Sequence, residues 1–261
     1  MSGKDRIRKN PDSVQKQIPR RTIGQVAGIS LRILVAQVVV TFGLVLIYFA
    51  DFGVAPWDML AIGIANHTPL QYGLALNVVG ICVILTDVFM REKIGLSTIQ
   101  DVFISGLLID LWTFVLRKAG VAAWLHFDSG RAAFDAARLS DGSVFVLRIA
   151  AFVVGVLIFC YGQFLVQSRA MGAGPRDTMV LGFGRKFPKV PIGAITWSTL
   201  ALVFLAGLLL GGPFGAGTIG AVFGMSLGQQ LMCRIFHFEP RAVKHENILE
   251  TIGSLKHSRA Q

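Results

Sequence analysis

Apolar residues run along this chain in blocks of about 20, separated by short polar or charged stretches. A helix of that length crosses a hydrocarbon core of about 30 Å. The pattern predicts full spans at about 31–50, 71–90, 98–116, 144–167, 191–210 and 217–236. Two other apolar segments, 56–68 and 175–187, are shorter. At about 1.5 Å per residue each gives roughly 20 Å of helix, too little for a complete crossing. The predicted class is therefore all-α: a polytopic transmembrane helix bundle of about six full spans plus two short, half or re-entrant helices. Residues 1–30 and 237–261 read as basic cytoplasmic tails, the latter with a surface helix at 241–255. Mixed-sign charges at 117–142 read as a solvated linker.

The pattern repeats itself. Gly53-Val54-Ala55-Pro56-Trp57-Asp58 returns as Gly172-Ala173-Gly174-Pro175-Arg176-Asp177, an offset of 119 from 53 to 172. Each copy follows a long apolar run and opens a short one. At an offset of 120, Gly73 matches Gly193, Gly95 matches Gly215, and Thr98-Ile99 matches Thr218-Ile219. Fixed-order polar and glycine matches of this kind argue for two homologous repeats, 31–116 and 143–236. If the short segments do not cross, each repeat has three spans and the second is inverted relative to the first. If they do cross, each has four and the repeats are parallel. Both topologies put the two termini in the cytoplasm by the distribution of Lys and Arg. The six-span version places 20 of the 25 basic residues inside. Between Thr178 and Gly184 the second short segment offers only seven uncharged residues before Arg185-Lys186, which favours six spans.

Composition agrees with a membrane location: 53% hydrophobic, 15% charged and 29 glycines. Small residues let transmembrane helices approach closely. The net charge of +10 sits in tails and connections, so it reads as topology and contact with anionic lipid, not nucleic acid. Cys82, Cys160 and Cys233 lie in apolar runs without a CxxC pair, which suggests neither a disulfide framework nor a zinc site. No metal-ligand spacing, phosphate loop, cofactor motif or nucleophile–base constellation is present, so neither a metal, a cofactor nor an enzyme is expected.

Several polar residues could carry chemistry. Pro56 and Pro175 suit a first helical position, and Asp58 and Asp177 then fall in the first turn, where free backbone N–H groups and the helix dipole favour a carboxylate. Gly53, Gly172 and Gly174 before each helix permit unusual backbone angles and close approach. These aspartates cap two helices, or line a polar site if the two helix starts approach each other. Asp110 lies well inside a span, where a carboxylate is costly and marks a functional site by default. Its alternative is an interhelical hydrogen bond, with Asn77 or Gln37 as partner. Gln230 is its repeat equivalent. Asp87 is expected to pair with Arg91 one helical turn on, and Asp101 to fall in the first turn of its helix.

Gly-x-x-Pro-Trp-Asp after a first span, Ile109-Asp110 in a later one, and Gly-x-Gly-Pro-Arg-Asp followed by Gly211-Gly212-Pro213-Phe214-Gly215-Ala216-Gly217-Thr218 resemble the YczE/YitT-like group of bacterial integral membrane proteins. The resemblance covers about 30–235, with the YczE branch closer. It implies a largely uncharacterised protein of the bacterial cytoplasmic membrane, of a kind often classed among transporter candidates. Duplication, short helices and intramembrane carboxylates point to a secondary transporter of an unidentified small solute, coupled to protons or not. Asp110 would then be the ion or proton site, with Asp58 and Asp177 along the path and Asn77 and Gln230 beside it. The alternative is a non-transporting accessory or scaffold protein that binds a partner or lipid.

Overall fold

A computed structural model describes residues 22–92, 94–125, 127, 142–169 and 174–238. The outer parts of both tails, the 241–255 segment, most of the charged linker and Gly172 lie outside the described residues. Those described form nine helices and no strand: α1 (Ile23–Ala50), α2 (Pro56–His67), α3 (Tyr72–Phe89), α4 (Leu96–Lys118), α5 (Val121–Trp124), α6 (Gly142–Gln167), α7 (Pro175–Lys186), α8 (Ile192–Leu209) and α9 (Ala216–Ile235). Among them α1, α3, α4, α6 and α8 are long and apolar enough to cross a membrane. The expected sixth span, α9, has 20 residues. Gly217, Gly220, Gly224, Gly228, Gln229 and Gln230 dilute its apolar content below that of the other five. The two short elements, α2 and α7, have 12 residues each.

Close approaches define helix directions. α1 and α6 cross antiparallel through glycine. A Cβ on Gly43 would lie 2.6 Å from the Phe159 backbone nitrogen, and one on Gly162 would lie 2.8 Å from that of Val40. Gly155 faces Ile47 and Gly43 between them. α4 runs parallel to α1: Gln100 donates to the Ser30 carbonyl and the Trp112 indole to the Val38 carbonyl. α9 runs parallel to α6, with Gly220, Gly224 and Gly228 beside Phe152, Val156 and Cys160 in order. α3 returns antiparallel to α4, and Tyr72 at its start stacks 5.2 Å from Tyr48 near the end of α1. The connection from α1 to α3 that carries α2 therefore leaves and returns at the same end of the bundle. By the same reasoning the connection from α6 to α8 that carries α7 leaves and returns at the opposite one.

The remaining contacts come in corresponding pairs. α2 packs on α8 and on α3, while α7 packs on α3 and on α8. Gly63 of α2 sits against Leu210 after α8, and Gly182 of α7 sits against Met90 after α3. The ends of α3 and α8 also close alike. Arg91 N–H donates to Val88 and Glu92 N–H to Asp87; Gly211 N–H donates to Leu208 and Gly212 N–H to Gly207. Arg91 and Gly211 take left-handed φ values of 57° and 67°. This is the Schellman arrangement, in which residues three before and two after the cap face each other.

The described start of the linker differs from the solvated segment expected of it. α4 continues to Lys118, α5 follows, and Leu125 is buried. Phe127 packs against Tyr48 and Phe49 at ring separations of 4.8 and 4.9 Å. Arg148, also buried, donates from Nε to the Leu125 carbonyl and lies 4.0 Å from Asp51. This part of the linker covers one end of the bundle, because Leu125 and Phe127 belong to an apolar run at 121–127 interrupted only at position 126.

Candidate functional site

The first glycine motif is a docking joint. Gly53 has φ +105°, and a Cβ there would meet Thr218 Oγ1 at 2.6 Å and Gly215 N at 2.7 Å. Only glycine satisfies both the left-handed backbone and the close approach. Phe52 accepts from Gly217 N–H at 2.8 Å, which pins the motif to the α8–α9 turn. Pro56 then opens α2 at its first position, with Asp58 in the first turn. Asp58 is buried, and the Tyr72 hydroxyl donates to its Oδ1 at 2.8 Å. In the second copy Gly174 caps α7, Pro175 takes the first position and Asp177 the first turn.

The starts of the two short helices meet. The Arg176 guanidinium lies 5.0 Å from the ring centroid of Trp57, its counterpart at the 119 offset. Such cation–π contacts strengthen away from water. Arg176 also acts electrostatically on Asp58 and on Asp101, and Asp177 acts on Asp101. Three of these groups, but not Asp58, border a cavity of about 390 Å³ between α1, α3, α4, α6 and α7. Asp101, Arg176 and Asp177 line it, with Ser97, Ser105 and Gln163 as further polar groups and Val40, Leu44 and Leu76 as apolar wall. Asp101 is the sixth residue of α4, not a first-turn residue, so it does not serve the dipole as expected. Sequence reasoning misses Arg176, although it carries a signal: it is the position at which the two motif copies differ most.

Asp110 occupies a different place. Its Oδ1 accepts from Gly73 N–H at 2.7 Å and its Oδ2 from Leu74 N–H at 3.0 Å. Those are free donors of the first turn of α3, whose own N-cap position supplies no side-chain bond. Asp110 thus caps α3 from α4. Asn77 completes the same clasp, accepting from Gly106 N–H at 2.9 Å and donating to the Phe103 carbonyl at 3.3 Å. Neither Asn77 nor Gln37 is the partner of Asp110. Gln37 is buried, and its amide atoms have no hydrogen-bond partner. Gln230 lies on the exposed side of α9, whereas its neighbour Gln229 turns inward and donates to Gln167 Oε1 at 3.0 Å. The expected residues therefore separate: Asp58 and Asp177 belong to the two helix starts, Asp110 and Asn77 to the α3–α4 clasp, and Gln230 to the surface.

A profile described as "Family of unknown function (DUF6198)" matches residues 30–234. An uncharacterised protein of Haemophilus influenzae is 26% identical over 183 residues, covering 70% of this chain and 72% of its own length. The uncharacterised membrane protein YczE of Bacillus subtilis is 25% identical over 186 residues, covering 69% and 75%. The uncharacterised protein YyaS of Bacillus subtilis is 21% identical over 182 residues, covering 69% and 80%. No solved structure matches the chain.

Proposed function

For a chain that belongs to the DUF6198 family, a family of unknown function, with the YczE-like membrane proteins among its relatives, we propose a secondary carrier of a small polar solute. The solute site is the cavity bounded by Asp101, Arg176 and Asp177. The carrying observation is the cavity's chemistry: two carboxylates, a guanidinium and the N-terminal turn of a short helix meet inside an otherwise apolar bundle. Its volume of about 390 Å³ is near the lower end of ligand pockets, about 300–1,000 Å³, and suits a small solute. Two acids against one Arg favour a solute with a cationic group, and Arg176 can hold an anionic group on the same molecule.

The architecture that goes with this reading is a pair of inverted repeats with six crossings and two half-helices. Its supports are the antiparallel α1–α6 crossing, the corresponding Gly63–Leu210 and Gly182–Met90 contacts, and the return of the α1–α3 and α6–α8 connections to the ends they leave from. Half-helix starts meeting at the interface of inverted repeats are a recurrent way to build a solute site. Basic residues favour one orientation in a bacterial cytoplasmic membrane. Arg32, Arg91, Arg169, Arg185, Lys186, Lys189 and Arg234 lie toward the α7 end, against Arg117, Lys118 and Arg148 toward the other. The α7 end is then cytoplasmic.

The test is flux into proteoliposomes across cationic, zwitterionic and anionic solutes. The expected result is uptake of a cationic or zwitterionic solute that Asp101→Asn abolishes without loss of folded protein. Absence of flux for every solute class, with a partner protein retained through purification, would replace the carrier with an accessory role.

A further inference from the structure

The turn that ends α3 holds two acids where its counterpart holds two glycines. In a Schellman turn the residue three before the cap and the residue two after it are brought together, and a hydrophobic contact commonly fills that spot. At the end of α8 these positions are Gly207 and Gly212, which give room to the α2 backbone at Met59 and Leu60. At the end of α3 they are Asp87 and Glu92, joined by the Glu92 N–H to Asp87 carbonyl bond at 2.9 Å. Asp87 is 0% exposed, and neither carboxylate oxygen has a hydrogen-bond partner. Glu92 differs: its side chain is 6% exposed and its Oε2 is 2.6 Å from Arg185 Nη1 of α7.

Every feature of this geometry opposes a negative charge on Asp87. It sits in the last turn of α3, at the negative end of the helix dipole. An acid stands beside it. The expected partner, Arg91, is exposed in the left-handed turn and makes no bond to it. Of the charged groups on the elements packed against α3, Asp58 on α2, Asp101 on α4, and Arg176, Asp177 and Lys186 on α7 make no hydrogen bond or ion pair with Asp87. Arg185 reaches the site and is taken by Glu92. A buried carboxylate without donors is among the costliest groups a fold can hold, and neutralisation removes the cost. One unbalanced acid calls for one positive charge. No group of three potential metal ligands exists among the described residues.

We propose that Asp87 is a proton-binding site, closed by α7 through the Glu92–Arg185 pair. Asp87 is sealed from water while α7 is docked, because Gly182 of α7 lies against Met90 and Glu92. Proton exchange with the aqueous phase therefore requires α7 to lift from the turn and the Glu92–Arg185 pair to open. Conversely, loss of the proton places two negative charges beside one Arg185. This ties protonation to the position of the short helix that carries Arg176 and Asp177 into the cavity. It deepens the carrier reading by naming its coupling ion, and rests on that reading only for the word coupling.

The experiment is infrared difference spectroscopy of the purified full chain, which needs no transported solute and so fails independently of the flux assay. At neutral pH the wild-type spectrum is expected to contain a protonated-carboxyl C=O band that Asp87→Asn lacks. Identical spectra overturn the proposal. A band that vanishes on adding Na⁺ at constant pH also overturns it, in favour of a metal cation. Should Asp87→Asn fail to accumulate, Glu92→Gln decides: removing the neighbouring charge and freeing Arg185 moves loss of the band to lower pH, by about one unit or more. An unmoved midpoint rejects the site.

Discussion

Asp110 and Asp101 lie nine residues apart on the same helix, and of the two only Asp101 lines the cavity. Asp110 spends both oxygens on the backbone N–H groups of Gly73 and Leu74. Replacing it with Leu removes a cap and leaves two donors unmatched. A loss of about 1–2 kcal/mol is expected, read as a lower melting temperature in detergent. Asp110→Asn retains an acceptor and should lose less, with flux preserved. If Asp110→Asn stops flux at unchanged melting temperature, Asp110 belongs to the transport path and not to the clasp. Arg176→Gln removes the cavity's cation and its contact with Trp57. It should abolish flux while costing about 1–2 kcal/mol of stability, the size of a partly desolvated cation–π contact.

At the scale of elements, the α1–α6 crossing is the most sensitive joint. Gly43 and Gly155 put backbone against backbone, so a side chain at either must push two long helices apart. Overpacking costs about 1–3 kcal/mol in soluble cores where neighbours can shift. Here the neighbours are main chain, and Gly43→Leu is expected to prevent accumulation of folded protein. Gly193 is the control. It lies near the start of α8, where an added Cβ would meet no atom within 4 Å. Gly193→Ala should therefore leave the melting temperature unchanged or raise it slightly through helix propensity. Equal effects at both glycines would contradict the crossing. The contrast has a physical source. Gly73, the counterpart of Gly193, is clasped to α4 by Asn77 and Asp110, whereas the second half has Trp197 and Gln230 at those positions. Without the clasp, α8 and α9 stand apart around an apolar cleft of about 340 Å³ lined by Trp197, Phe204 and Phe223.

For the whole molecule, the directions of the helices make a labelling prediction. With the native cysteines replaced, Arg91→Cys and Phe236→Cys should react from one face of the membrane and Leu210→Cys from the other, measured with an impermeant thiol reagent on intact cells and on inverted vesicles. Reaction of all three from one face would remove the antiparallel arrangement, and with it the proposal of inverted repeats. The exposed surface fits a bilayer as solvent: Phe89, Leu111, Leu202, Leu209 and Leu227 face outward along the long helices. This apolar exterior comes from the same property that makes the spans legible in the sequence. It is also why the hydrophobic pattern says little about which helix faces which, since apolar residues cover both the lipid side and the core.

Much of the architecture is written in one dimension. Blocks of about 20 apolar residues give the long helices, and Pro56 and Pro175 give the starts of the short ones, because both depend on local backbone chemistry and length. The duplicated glycine motif is equally visible, since Gly53 answers to a local φ as well as to a contact. Partnership is not visible. Asp110 reads as an intramembrane acid until Gly73 and Leu74 arrive from 36–37 residues away. Asp87 reads as half of an i,i+4 pair until Arg91 turns left-handed and exposed. Arg176 reads as a departure from a motif until Trp57 comes within 5.0 Å across the bundle. A charged side chain buried among helices takes its meaning from the donors that tertiary packing brings or withholds, and no spacing along the chain encodes that.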